Sequence, residues 1–186
     1  MDMGSNQTAL RALRAATTEA HRRLDSCLNL VQRFEARLTR QDVLAGYKCL
    51  LTIVEAETGP FLRGMAQLDF AKRCRAARID APTLSAPSLP IASTAAALGA
   101  LYVTEGATLG GRMILRAVSA SGHGDEALAF LDPYGEETGA MWLAFCAVAN
   151  QQLNDTVDGL AEAICAAQAT FRLAGTCLAP GSTGCA

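Results

Sequence analysis

The stretch Leu101-Tyr102-Val103-Thr104-Glu105-Gly106-Ala107-Thr108-Leu109-Gly110-Gly111-Arg112 decides how the chain is read. It lies inside a longer alanine- and leucine-rich run, Ser93 to about Ala120, whose apolar spacing predicts a helix interrupted by Gly106, Gly110 and Gly111. Each glycine inside a helix costs roughly 1 kcal/mol relative to alanine, so something must offset the cost of three. Gly106 and Gly110 are four apart and share a face, a strip of backbone without side chains. Such a strip packs closely on another helix or lets a flat ligand lie on the main chain, and both are open at this point. A phosphate loop is excluded: no strand precedes the glycines and no Gly-Lys-Ser/Thr follows.

Outward from this run the pattern stays helical. Thr8 to Leu30 carries Leu10, Leu13, Thr17, Leu24 and Leu28 at helical spacing, with Asn6 or Thr8 as cap. Helices are also predicted over Asp42 to Gly59, ended by Gly59-Pro60, and over Phe61 to Arg75. Two more cover Ala140 to Leu153 and Val157 to Leu178. Asp80 to Pro90, with three prolines, is a loop. Turns are placed at Gly122-His123-Gly124 and Asp132-Pro133-Tyr134-Gly135. The expected architecture is a single all-α domain over residues 9–178, with an N-terminal arm (1–8) and a flexible tail (179–186).

Composition narrows the function. Of 186 residues 51% are hydrophobic and 18% charged, so a sizeable core can be buried. A net charge of −2 argues against nucleic acid as partner. No apolar stretch approaches the roughly 20 residues of a membrane span, and the first residues lack the layout of a secretory signal. A soluble cytoplasmic protein is expected. Charge is uneven: Met1 to Arg116 carries a net +5 and Ala117 to Ala186 a net −7. The basic part, including Arg22 and Arg23, is either a solvated face or a docking surface for an acidic protein. Seven cysteines, an odd number without any Cys-x-x-Cys pair, read as inert and mostly buried thiols, with an incidental Cys177–Cys185 bridge as the alternative.

The chain has two histidines, His21 and His123. His123 stands between glycines and reads as a surface residue. His21 falls on the apolar stripe of the first helix, where an imidazole is a hydrogen-bonded core residue or a ligand. Asp25, one turn on, is placed to accept its ring proton, which would fix the tautomer and make the other nitrogen a better metal ligand. Arg14, about 10 Å along the axis at 1.5 Å per residue, is placed for the acidic edge of a large flat ligand, or else is simply exposed.

Together, Thr18-Glu19-Ala20-His21-Arg22-Arg23-Leu24-Asp25 and the Leu-Tyr-Val-Thr-Glu-Gly-Ala-Thr-Leu-Gly-Gly run resemble the bacterial heme oxygenases. The similarity continues through Tyr134-Gly135, Gly139, Trp142-Leu143-Ala144-Phe145 and an alanine-rich helix with Phe171, covering roughly Leu10 to Leu178. The resemblance implies an all-α fold that sandwiches heme b, cofactor and substrate at once, between a proximal and a distal helix. His21 corresponds to the axial iron ligand. Gly106, Gly110 and Gly111 correspond to the distal glycines, and Arg14, Asp25, Tyr102 and Phe171 to further heme-binding positions. Arg78, in Ala77-Arg78-Ile79-Asp80, resembles an Arg-aromatic-Asp segment with Ile79 in the aromatic's place. Ala107 stands where mammalian relatives carry aspartate and many bacterial ones serine, so backbone near Gly106, water and Thr108 are the candidates for proton delivery.

The implied reaction opens heme with O2 to biliverdin, carbon monoxide and ferrous iron. No flavin or nucleotide motif is present, so an external ferredoxin, flavodoxin or reductase supplies electrons. Iron acquisition and supply of a bilin to a phytochrome-type photoreceptor are both compatible uses. Ala107 and the lack of Lys or Arg between Arg116 and Arg172 leave a second reading, a catalytically weak heme-binding or heme-sensing protein. A third is a helical interaction module whose glycines only pack helices.

Overall fold

The computed structural model describes residues 8–85, 87–154 and 158–179. Seven α-helices follow in order: α1 Thr8–Leu28, α2 Leu30–Glu35, α3 Arg37–Leu62, α4 Phe70–Arg73, α5 Thr94–Ala120, α6 Thr138–Asn154 and α7 Gly159–Leu178. Short 3-10 turns occur at Ala66–Leu68, Ala76–Arg78, Glu126–Leu131 and Gly135–Glu137, and no strand is found among the described residues. The expected all-α class holds. Of the expected arm and tail only residues 8 and 179 are described; Asn6 and Cys185, and with them the Cys177–Cys185 bridge, lie outside the described residues.

Several expected boundaries move, each for a local reason. The first helix stops at Leu28 because Asn29 adopts φ 43°, a left-handed conformation that asparagine tolerates. A separate α2 follows. Gly59-Pro60 does not end α3, which continues to Leu62. Proline removes only the bond to the carbonyl four residues back, here that of the exposed Ala56. The helix expected over Phe61 to Arg75 breaks into a 3-10 turn and the four-residue α4. Asp69, at φ 45°, separates them and accepts the Lys72 N–H. The glycines do not interrupt α5: it runs unbroken for 27 residues, with the Ser93 hydroxyl capping the Ala96 N–H at 3.1 Å. The described residues of the Asp80–Pro90 loop and the two turns lie where expected, with Gly122 at φ 80° and Gly135 at φ 53°.

Helix α7 organises the rest. It packs on α5, α1 and α3, while α6 packs on α5 and α1. Backbones approach closely at three glycines. A Cβ on Gly99 would stand 2.1 Å from the Ala163 carbonyl oxygen, one on Gly46 2.3 Å from that of Cys177, and one on Gly111 2.3 Å from that of Leu131. Two core clusters result. One joins Phe34, Val43, Leu44 and Val54 to Leu128, Leu173 and Leu178. The other joins Leu13, Leu98, Leu101, Phe145, Ala163 and Phe171, with Tyr102 and Trp142 at its margin.

The cysteines are less buried than expected. Cys49 and Cys177 are buried, but Cys27 and Cys165 are exposed, and Cys74 and Cys146 lie between. Burial, and then the neighbouring Cys49, pushes the Cys177 thiol up to about 12. His123 is exposed, as expected.

Candidate functional site: a cleft between the first and fifth helices

Helices α1 and α7 run in the same direction. Along α1 and α7 the Ala16 carbonyl accepts Gln168 Nε2 at 3.2 Å, His21 meets Phe171, and Leu24 lies against Gly175. Along α5, Gly99 meets Ala163, and three residues later Tyr102 shares a hydrogen bond with Thr17 of α1. One turn beyond that contact stand His21 on α1 and Gly106 on α5, and Gly110 is a further turn on. Each helix thus carries a candidate group one turn past that contact: the imidazole on α1, with Phe171 of α7 against it, and the glycine face on α5.

His21 is the most explicit element. Its Nδ1 lies 2.9 Å from Asp25 Oδ2, the i,i+4 partner. With the Nδ1 proton given to that carboxylate, the Nε2 lone pair is left for a ligand. The Phe171 ring meets the imidazole edge-on, centroids 5.8 Å apart. The side chain is 61% exposed, so His21 sits at the lip of the apolar stripe rather than inside it. Thr17 and Leu13, one and two turns earlier, are buried, because α1 packs on α6 and α7 there.

The glycines of α5 divide. At Gly106 an added Cβ would meet only the Trp142 ring, at 3.8 Å, and at Gly110 nothing within 4 Å. These two form the open strip that the spacing pointed to. Gly111 does not belong to it: it is buried against the Leu131 backbone, since one residue turns the helix by about 100°. Thr108 is likewise turned away. It is buried, and its hydroxyl donates to the Glu105 carbonyl at 2.7 Å, so it offers the strip no donor. Ala107 is exposed and apolar.

Around the strip, Tyr102 and Trp142 stack obliquely with centroids 5.8 Å apart, and Trp142 meets Phe145 at 5.5 Å. Burial raises the Tyr102 phenol above its ordinary value, against the hydrogen bond to Thr17 and the cation of Arg14. Arg14 is exposed, and its guanidinium makes no ion pair among the described residues. Arg22 and Arg23 point to solvent, but both donate to the Glu19 carboxylate, which mutes their charge and is itself held below the usual carboxylate range by them. Arg78 is exposed on its 3-10 turn. A groove of about 920 Å³, lined by Lys48, Glu55, Arg63 and Phe70 among others, lies elsewhere, and no candidate residue lines it. Among the described residues no group of three His, Cys, Asp or Glu could hold a metal ion. No helix among them is long and apolar enough to cross a membrane.

Sequence reasoning missed the polar support beneath the strip. Glu105, 1% exposed, accepts Arg73 Nη1 and the Tyr134 hydroxyl, at 3.0 and 3.2 Å to its two oxygens. Burial first, and then the Glu105 charge, pushes the Tyr134 phenol far above its ordinary value. A lone charged residue inside the apolar run Leu101 to Gly111 was the available signal, since a buried carboxylate demands partners.

The geometry has counterparts among known proteins. A heme oxygenase from Xanthomonas campestris pv. campestris (strain 8004) is 40% identical over 99 residues, 53% of this chain and 59% of that protein's length. The crystal structure of the NO- and CO-bound heme oxygenase from Neisseria meningitidis aligns with a TM-score of 0.75 at 23% identity, over 91% of this chain and 89% of that one. No family model matches the chain. The protein therefore has the fold of the Neisseria heme oxygenase and is similar in sequence, over about half its length, to the Xanthomonas one.

Proposed function

We propose that the protein is a heme oxygenase, binding heme b between α1 and α5 with His21 as the axial ligand of the iron. Two features carry this reading: a carboxylate-bound imidazole on α1 and, on α5, a helix strip that offers no side chain, each one turn beyond the Tyr102–Thr17 contact. A macrocycle needs a nitrogen ligand on one side and flat, unobstructed surface on the other. Gly106 and Gly110 supply that surface: a Cβ at Gly110 would meet nothing within 4 Å, and one at Gly106 only the Trp142 ring. The 40% identity to a protein named heme oxygenase supports the same assignment.

The residues fit the group. Asp25 would hold the His21 tautomer and raise the basicity of Nε2. Phe171 would support the ring from below, Tyr102 and Trp142 would line its margin, and Arg14 would meet a propionate. When bound, heme supplies both the iron that activates O2 and the ring that is opened to biliverdin, carbon monoxide and ferrous iron. The glycine strip keeps a competing protein ligand off the opposite side. With Ala107 apolar and the Thr108 hydroxyl committed to the Glu105 carbonyl, water ordered on the backbone around Gly106 is left to bring protons into the cleft. Electrons come from an external ferredoxin, flavodoxin or reductase. The reading places the enzyme in the cytoplasm, and its bilin is of the kind a phytochrome-type photoreceptor takes up. Ala107 favours the second reading, a heme-binding or heme-sensing protein with weak turnover.

A hemin titration followed by absorption tests the ligand. The wild-type chain is expected to give the Soret band of histidine-ligated heme. His21→Ala should lose that spectrum while its far-UV circular dichroism stays helical, and added imidazole should restore it. An unchanged hemin spectrum in His21→Ala would remove His21 as the ligand.

A further inference from the structure

The Arg73 side chain is 1% exposed and uses every arm of its guanidinium. Nε donates to the Leu68 carbonyl, Nη1 to the Glu105 carboxylate, and Nη2 to the Met141 carbonyl at 3.1 Å. The last two acceptors sit on the helices that wall the cleft. Each immediately precedes a cleft residue, Glu105 before Gly106 on α5 and Met141 before Trp142 on α6. Those two residues face each other, the Trp142 ring standing 3.8 Å from where a Gly106 Cβ would be. A guanidinium is a rigid planar fork, so two acceptors bound to it have a fixed separation. The Tyr134 hydroxyl holds the Glu105 carboxylate from its other side. A buried ion pair adds little net stability over well-packed apolar groups, so the fold alone gives weak reason to place charge here. The third arm, to Met141, gives a geometric one.

We propose that Arg73 is a positioning residue for the ligand cleft: it staples α5 to α6 and so sets the spacing between the Trp142 ring and the Gly106 backbone. The consequence for ligand binding rests on the heme reading above; the staple itself does not. Arg75 supplies an internal control. It too is buried and donates to α5, to the Thr104 carbonyl at 2.7 Å, but no hydrogen bond to α6 is found among the described residues.

Trp142 is the chain's sole tryptophan, so the emission of the ligand-free protein reads this spacing directly. Arg73→Lys keeps the charge but loses the fork. It should shift the Trp142 emission to the red, raise its quenching by acrylamide, and weaken hemin binding about tenfold, the loss expected for one charge-assisted hydrogen bond. Arg75→Lys should lower thermal stability to a similar degree and leave all three readouts near wild type. Glu105→Gln, whose amide oxygen can still accept from Arg73 and so keeps both arms, should also cost stability with little change at Trp142. Should Arg73→Lys fail to fold, Arg73→Gln replaces it, keeping one planar amide donor, with the same expectation. Equal effects of the Arg73 and Arg75 variants on Trp142, or none from Arg73, would overturn the staple. If the wild-type chain takes up no hemin, the heme reading fails, while the emission measurements still decide the role of Arg73.

Discussion

Two pairs of glycines on one helix do opposite things. Gly99 and Gly111 are where α5 touches the rest of the protein: a Cβ there would run into the carbonyls of Ala163 and Leu131. Gly106 and Gly110, on the same helix, touch almost nothing. The first pair is explained by packing, because only a missing side chain lets the backbones meet. The second does not meet a neighbouring backbone: Gly110 has nothing within reach and Gly106 only the Trp142 ring, so no close approach offsets its unfavourable helix propensity, roughly 1 kcal/mol for each glycine. A flat ligand lying on the strip would supply the offset. Spacing alone could not tell the pairs apart; the surroundings of each position do.

Substitutions can break or sharpen this contrast. The largest effect is expected from Gly99→Ala and Gly111→Ala. Each forces a methyl group into a neighbouring backbone, and overpacking of this kind should cost about 2 kcal/mol. For a chain of this size that is a drop of about 6 °C in the melting midpoint, read by thermal circular dichroism without heme. A neutral result at either position would show that the close approach is not rigid. Gly110→Leu should act on the ligand instead: hemin uptake is lost, followed by absorption, while the melting midpoint of the ligand-free protein hardly moves. Comparable loss of folding would make Gly110 a packing glycine after all. The smallest effect belongs to Gly110→Ala, which should stabilise the ligand-free protein by up to about 1 kcal/mol through helix propensity. Destabilisation by that methyl group would erase the distinction between the pairs.

What the sequence made legible was local. The i,i+4 pair His21–Asp25, the apolar stripe of α1 and the shared face of Gly106 and Gly110 all follow from the helical period, and the structure shows the ion pair and the open glycine strip. The helical class was readable for the same reason. Direction around the helix was harder to read: Gly111 and Thr108 share the motif with Gly106 but face the interior, which only their neighbours reveal. The short α2 and α4 escaped because left-handed Asn29 and Asp69, not periodicity, delimit them. The Arg73–Glu105–Met141 connection was out of reach. Its partners are 32 and 68 residues from Arg73 in the chain, and no periodic pattern links them. The His21–Asp25 pair and the glycine strip were thus visible from spacing, whereas the groups behind them depend on tertiary approach.

The central claim is that this cleft turns heme over, rather than merely holding it. Aerobic incubation of the hemin complex with ascorbate, followed by absorption, tests it most directly. Ascorbate needs no docking site, so the result is independent of the natural electron donor. The wild-type complex is expected to lose its Soret band as a biliverdin band appears, and His21→Ala is expected to form none. A wild-type complex with a stable histidine-ligated spectrum that yields no bilin would contradict the enzyme reading and leave a heme-binding protein in its place.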